Sequence, residues 1–165
     1  MTKKSLIIIQ ARMNSKRMPG KVLRNLKNVP TLKWLIEAAK KVNFENKIVV
    51  GTSSETSDDI LVEWCKTNKI DFYRGSLNNV LRRFVEISNK FKSEIIIRLT
   101  ADCPFIDPKV IDQLFYLIKK RSVDYVSNTQ NRSWPDGLDC EVFTRSALLK
   151  CYKNAKNKED LEHVT

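Results

Sequence analysis

At 165 residues, 42% apolar and 30% charged, the chain has the size and composition expected of one soluble globular domain; no run reaches the ~18 apolar residues of a membrane helix, and the apolar stretch after Lys3 and Lys4 is too short for a secretory signal. Cys65, Cys103, Cys140 and Cys151 form no C-x-x-C pair, which argues against a zinc site or disulfide frame and for reduced thiols in the cytoplasm, and the single histidine, His163, excludes a histidine metal cluster. The formal net charge of +11 is uneven: Met1 to Ile36 carry nine Lys and Arg and no carboxylate, whereas the rest of the chain carries 21 basic residues against 19 acidic ones.

The first predicted element is a buried strand at Leu6–Ile9. It opens into a polar, small and basic loop holding Gln10, Ala11, Arg12, Asn14, Ser15, Lys16 and Arg17, punctuated by Pro19 and Gly20 and followed by Lys21. Pro30 and Thr31 start a helix whose Leu32, Leu35, Ile36, Ala39 and Val42 recur at helical spacing. Lys47–Thr52 is a second strand, and Thr52-Ser53-Ser54 a polar turn. Thr56 and Ser57 predict a hydroxyl-capped helix with Asp58 and Asp59 in its first turn and Ile60, Leu61, Trp64 and Cys65 buried. Ile70–Arg74 is a third strand, and Val80, Leu81, Phe84, Val85 and Phe91 mark the next helix. A fourth strand, Glu94–Thr100, ends abruptly at Ala101-Asp102-Cys103-Pro104. Asp107-Pro108 opens a helix, Val123–Ser127 is a fifth strand, and 128–136 is a loop. Leu138–Phe143 is a last strand, and Thr144 caps a helix with Leu148, Leu149 and Tyr152 inward. Trp34 and Trp64 are expected in the core and Trp134 in a loop. Strands alternating with helices predict an α/β fold, a mostly parallel sheet covered on both faces.

Open α/β sheets bind ligands at the carboxyl ends of their strands. A basic loop there is suited to a phosphate chain, although a solvated basic face or a nucleic-acid patch would carry the same charge. Asp102 ends another buried strand at the same edge. A carboxylate facing cation-held phosphates suits Mg²⁺, which takes one or two carboxylates plus phosphate oxygens and water; a turn-capping aspartate is the plainer alternative. Neither G-x-G-x-x-G nor G-x-x-x-x-G-K-[ST] occurs.

QARMNSKRMPGKVL resembles the loop of the CMP-sugar synthetases, P-A-R-x-x-S-x-R-x-P-G-K-x-L, with Ala11, Arg12, Ser15, Arg17, Pro19, Gly20, Lys21 and Leu23 matching. RLTADCPFIDP resembles the family's metal segment, with Ala101 in place of the usual Gly. DYVSN, WPDGLDCEVF and EHVT resemble the spore-coat polysaccharide branch of these cytidylyltransferases, relatives of the acylneuraminate and CMP-KDO synthetases. The resemblance implies a Rossmann-like three-layer αβα sandwich, the nucleotide-diphospho-sugar transferase fold. It implies CMP transfer from CTP to an acidic or related sugar with release of pyrophosphate, in surface polysaccharide biosynthesis. Arg12, Lys21 and Asp102 are then the catalytic candidates. Ala11, Arg12, Ser15, Arg17 and Lys21 would hold the triphosphate, and Arg74 and Thr100 would lie near the cytosine or ribose. Asp102 would bind Mg²⁺, and Asp139 and Glu141 would stand on the sugar side, a salt bridge to Arg132 or Arg145 being their alternative role. Asn78, Asn79 and Arg82 stand where the branch carries acids.

The family commonly runs further, through a segment bearing a second metal ligand, so residues 1–165 are expected to be a single nucleotidyltransferase domain without its C-terminal portion, slow in turnover. A homodimer stays open as its assembly. Two other functions compete: nucleotidyl transfer with another base or a sugar 1-phosphate, and a non-enzymatic nucleic-acid-binding domain. The second is disfavoured, because a nucleic-acid binder spreads its cations along a groove rather than beside one carboxylate-bearing edge.

Overall fold

The computed structural model describes residues 5–15, 17–130, 134–162 and 164. Lys16, Arg132 and His163, named above, lie outside them. Strand β1 (Ser5–Gln10) is the middle of the molecule. It pairs in parallel with a neighbour on each side, and its apolar run is buried because helices cover both faces of the sheet. On one side lies β4 (Asn46–Ser53), with Ile9 opposite Val50 and Gln10 opposite Gly51; on the other lies β6 (Ile95–Thr100), with Gln10 opposite Thr100. The six-stranded sheet is completed by β5 (Asp71–Gly75) beyond β4, and by β8 (Glu141–Thr144) and β7 (Tyr125–Ser127) beyond β6, in the order β5-β4-β1-β6-β8-β7. Only β8 interrupts the parallel direction, pairing antiparallel with β6 and β7.

Side chains alternate across β1 and so feed two cores. Ile7 and Ile9 join Leu32, Leu35 and Ile36 of α1 (Thr31–Ala39), Leu61 and Cys65 of α2 (Asp59–Thr67), and Ile111 and Phe115 of α4 (Pro108–Arg121). Leu6 and Ile8 face the other way, toward Leu81, Phe84 and Ile87 of α3 (Val80–Phe91) and Leu148 of α5 (Arg145–Asn154). Helices therefore cover both faces, as the alternation of elements predicts. A short α6 (Lys158–Glu162) follows α5. Cys65, Cys103 and Cys140 are buried thiols, and burial pushes Cys65 up to about 12, so it is no nucleophile at neutral pH.

Several local expectations are corrected. Residues 25–30 form a hairpin, β2 (Asn25–Leu26) with β3 (Val29–Pro30), turned by Lys27 and Asn28 at positive φ of 49° and 63°. Trp34 leaves the core to donate its indole N–H to Leu26 O of that hairpin at 3.2 Å, and stays 37% exposed. Ile60 is 60% exposed, because the buried stripe of α2 runs through Leu61, Val62 and Cys65 instead. α1 ends at Ala39, short of Val42, and Tyr152 lies on the exposed side of α5.

The largest correction concerns the end of β4. Thr52 and Ser53 are not a turn but fully buried strand residues, and no hydroxyl caps α2. Instead Asp58, in a one-turn 3₁₀ segment (Thr56–Asp58), turns inward and is 1% exposed. Its Oδ2 accepts from the Thr52 hydroxyl at 2.9 Å, the Ser53 N–H at 3.0 Å and the Ser53 hydroxyl; its Oδ1 accepts from the Met13 N–H at 2.7 Å. Burial alone would raise this carboxyl, but the bonds from Met13, Ser53 and Thr52 together hold it below its ordinary value. Asp58 thus ties the basic loop to the sheet. Asp58→Asn should lower stability in urea by about 1–3 kcal/mol at neutral pH, since one acceptor is lost and buried donors are stranded. The ionised carboxylate stabilises the fold above its unfolded value of 3.8, and that contribution disappears as pH falls through the lower folded value. The gap between wild type and variant should therefore close in acid.

Candidate active site

The chain runs outward from β1 to β4 and β5, then returns to β6 on β1's other flank. α1 and α2 pack on one face and α3 on the other, so β1 and β6 flank a switch point where the loops part and leave a crevice. Because Gln10 and Thr100 are in register, the chain leaves both strands side by side through Ala11 and Ala101, joined by the Ala101 N–H on Gln10 O at 3.0 Å. Two small buried side chains keep that mouth open.

The loop after β1 is folded on itself. The Gly20 N–H donates to Met13 O at 2.8 Å, and Gly20 has φ of 71°, a left-handed turn that its missing Cβ permits. A short 3₁₀ turn, Lys21–Leu23, follows; the Thr31 hydroxyl pins it through Lys21 O at 2.7 Å and Val22 O at 3.0 Å. Lys21 is thereby aimed across the crevice, where its Nζ meets Asp102 Oδ2 at 2.8 Å. Burial raises the Asp102 carboxyl, but the bonds from Lys21 and Thr100 outweigh it and leave the group below its ordinary value, ionised at neutral pH.

Ala11, Arg12, Ser15, Arg17, Lys21, Thr100 and Asp102 all line one cleft of about 280 Å³. Arg74 does not. Its guanidinium donates to Ser53 O at 3.1 Å and Glu55 O at 2.8 Å and pairs with Asp59 at 2.7 Å, which fixes the approach to α2. Asp139 and Glu141 line a second cavity, of about 270 Å³, with Arg98 and Thr129; Thr100 belongs to both walls, so the two spaces adjoin. Glu141 pairs with Arg98 and accepts from the Tyr125 hydroxyl at 2.8 Å; Arg145 bonds to Asn89 instead. A more voluminous cavity, about 570 Å³, sits at the opposite end of the sheet around Glu94, Asp124 and Thr144, away from this chemistry.

Sequence reasoning missed four residues here. Gln10 accepts from Arg98 at 3.4 Å and lines the first cleft. Arg98 is a cation inside an otherwise apolar strand, IIIRLT, a signal that was present to be read. Asp58 reads in the sequence as a helix-start acid. Arg83 sits on the buried stripe of α3, between Val80 and Ile87, is 2% exposed, and also lines the first cleft. Burial draws its guanidinium down to about 10, with Asp58 opposing and Arg12 adding to the fall; it remains a cation at neutral pH.

A family model described as cytidylyltransferase matches residues 6–165. An uncharacterized protein of Methanocaldococcus jannaschii is 40% identical over 158 residues, which cover 96% of this chain and 64% of that protein. The spore coat polysaccharide biosynthesis protein SpsF of Bacillus subtilis is 37% identical over 165 residues, 97% of this chain and 68% of SpsF. Among solved structures, a cytidylyltransferase from Leptospira borgpetersenii superposes with a TM-score of 0.93 at 34% identity, covering 98% of this chain and 69% of that one. The chain therefore spans about two thirds of the length of these relatives.

The geometry around Lys21 generates a direct expectation. In Lys21→Met the burial of Asp102 is no longer offset by the ammonium, so its carboxyl should titrate at a higher pH than in the wild type. Carbon-detected NMR titration of the aspartate carboxyls measures this, with Asp58 as an internal reference that should not move.

Proposed function

The chain belongs to the cytidylyltransferase family, and from that premise we propose that it transfers CMP from CTP to an acidic or related sugar, releasing pyrophosphate, in surface polysaccharide biosynthesis. The observation that carries this reading is the meeting of Arg12, Ser15, Arg17 and Lys21 with Asp102 in one cleft at the switch point, beside a second cavity. The triphosphate lies against the loop. Arg12, Arg17 and Lys21 offset the charge that builds on departing pyrophosphate, where pre-aimed donors act most strongly. The sugar occupies the adjoining cavity, with its attacking hydroxyl held near Thr100. There Asp139 and Glu141 accept from hydroxyls, and Arg98 offers a cation to a sugar acid.

The donor set fits Mg²⁺: Asp102 is a hard, ionised oxygen ligand beside groups suited to phosphate, and magnesium takes its remaining ligands from phosphate and water. Among the described residues no three His, Cys, Asp or Glu side chains form a group that could hold a metal ion, so phosphate oxygens and water would supply the other ligands beside Asp102. When bound, the ion would polarise the α-phosphorus. The Lys21–Asp102 pair is partly exposed, and such pairs are worth ~0–1 kcal/mol, so Lys21 can exchange the carboxylate for phosphate oxygens at little expense. A nucleic-acid-binding reading has no matching support, since these cations converge on a carboxylate-bearing cleft.

Calorimetry with CTP, ATP and GTP in the presence of Mg²⁺ tests the nucleotide. CTP should bind best, and Arg12→Ala and Lys21→Ala should each weaken it by about 1–3 kcal/mol. Asp102→Asn should remove the Mg²⁺ dependence while leaving the unfolding midpoint nearly unchanged. Pyrophosphate release with a panel of eight- and nine-carbon keto-acid sugars tests the acceptor. Equal affinity for the three triphosphates, or binding to duplex DNA that weakens steeply with salt, would sink the reading.

A further inference from the structure

The hydrogen bonds that end on the Asp58 carboxylate are not alike. Those from Thr52 and Ser53 are local: their donors stand six and five positions back in the chain and settle the end of β4. The bond from the Met13 N–H to Oδ1, at 2.7 Å, crosses 45 positions and reaches the loop after β1. An aspartate that caps its own turn is satisfied by its neighbours; this one also holds a peptide far away in sequence.

Met13 is the hub of that loop. While its N–H is held by Asp58, its carbonyl accepts from the Ser15 N–H at 3.0 Å and the Gly20 N–H at 2.8 Å. The Gly20 bond closes Met13 to Gly20 into a ring, and the Ser15 hydroxyl braces it by accepting from the Met18 N–H at 3.4 Å. Arg12 stands immediately before the held N–H, Ser15 and Arg17 lie within the ring, and Lys21 follows its closing residue; all four line the cleft. The ends of the loop are fixed elsewhere, by the Ala11 N–H on Gly51 O at 3.1 Å and by the Thr31 hydroxyl on Lys21 O and Val22 O. Among the described residues, the polar ties on its middle both come from one 3₁₀ turn: Ser57 takes the Asn14 amide, and Asp58 takes Met13. The Asn14 bond is exposed and neutral, whereas the Met13 bond ends on a buried carboxylate and is the stronger of the two.

We propose that Asp58 is a positioning residue for the triphosphate: through the Met13 peptide it holds the ring Met13–Gly20, and with it Arg12, Ser15, Arg17 and Lys21, in the arrangement that receives phosphate oxygens. The proposal rests on the cytidylyl reading above and deepens it. Asp58 touches no substrate and acts through the loop backbone. Cations on a loop that is docked for a fraction of the time bind with an affinity reduced by that fraction, so the Asp58–Met13 bond is read in affinity as well as in stability. Coupling of this kind is reciprocal: if the bond favours phosphate binding, bound phosphate protects the bond.

Calorimetry with tripolyphosphate and with CTP, both with Mg²⁺, and amide hydrogen exchange by NMR test this on the wild type, Asp58→Asn and Leu148→Ala, at a temperature where all are folded. Asparagine has one acceptor oxygen where Asp58 has two, so it cannot serve the strand and Met13 at once. Leu148 is buried in the other core, with Phe84 and Ile87, and its truncation lowers stability away from the loop. Asp58→Asn should weaken both ligands about 10- to 100-fold, and Leu148→Ala should bind them within about twofold of the wild type. In Asp58→Asn the Met13 and Gly20 amides should gain exchange rate by more than the Ile8 amide of β1, which reports global opening. In the wild type, saturating tripolyphosphate should slow Met13 and Gly20 together. If a folded Asp58→Asn binds tripolyphosphate as the wild type does, the proposal falls, while a wild-type preference for CTP keeps the cytidylyl reading. Equal losses of affinity in Asp58→Asn and Leu148→Ala would make Asp58 a residue of the fold alone and overturn it as well. Should Asp58→Asn not fold, exchange in the wild type decides: tripolyphosphate that leaves the Met13 amide no better protected overturns the proposal. A wild type that binds no triphosphate overturns both readings.

Discussion

A charge can be buried in a protein only if its hydrogen bonds are all found again inside, and the site depends on one such charge. Asp58 is withdrawn from water at the end of β4, and its carboxylate takes donors from Thr52, Ser53 and Met13. Three come from the strand and one from the loop that follows β1. The loop therefore does not settle on the sheet by apolar packing, which its polar and cationic composition could not supply, but through a charge-assisted bond to its own backbone. The Asn14 amide adds a second tie, donating to the Ser57 hydroxyl at 3.1 Å. With the loop held at that end and by the Thr31 hydroxyl at the other, the cations between can stay exposed at the cleft without carrying the fold.

The fold was largely legible because its strongest signals are periodic and local. Ile7, Ile9, Val50 and Leu99 announce buried strands, and Leu32, Leu35 and Ile36 a helix stripe, whatever lies far away in sequence. The loop was legible for another reason: phosphate chemistry demands cations, small residues and a glycine turn close together in the chain. What stayed hidden depends on partners distant in sequence. Thr52 and Ser53 look like a turn until Asp58 is seen to accept from them. Trp34 looks like core until the Leu26 carbonyl is found outside it. Arg74 matches a family position, yet its donors are taken by Ser53, Glu55 and Asp59. Glu141 could have paired with any nearby arginine, and it is the register of β6 against β8, Arg98 opposite Glu141, that chooses one.

The two adjoining cavities divide the electrostatics between them. The first is dominated by cations with a single carboxylate; the second sets one cation, Arg98, between Glu141 and the Gln10 amide oxygen, with Asp139 alongside. Gln10 thus touches both spaces through Arg98, and Thr100 does so directly. These are the terminal residues of β1 and β6, held opposite each other by the ladder, so the distance between the two cavities is set by strand spacing rather than by loop conformation. Placement of one reactant against another is best entrusted to such a rigid element.

The bed of glycine beneath Arg83 has an evolutionary corollary. A methyl group at position 75 would stand 3.0 to 3.3 Å from Cγ, Cβ and Cδ of Arg83, so the arginine's stem would have to shift and changes at Gly75 and Arg83 are coupled. While the arginine is in place, a larger residue at 75 presses on its stem; once it has been shortened, the glycine leaves a void that a larger residue can fill. A lineage that abandons this arginine can therefore drift at position 75, but the return path closes behind it, because regaining the long side chain first requires giving the bulk back. Substitutions at these two sites should be ordered in time, and the pair should be inherited as a unit.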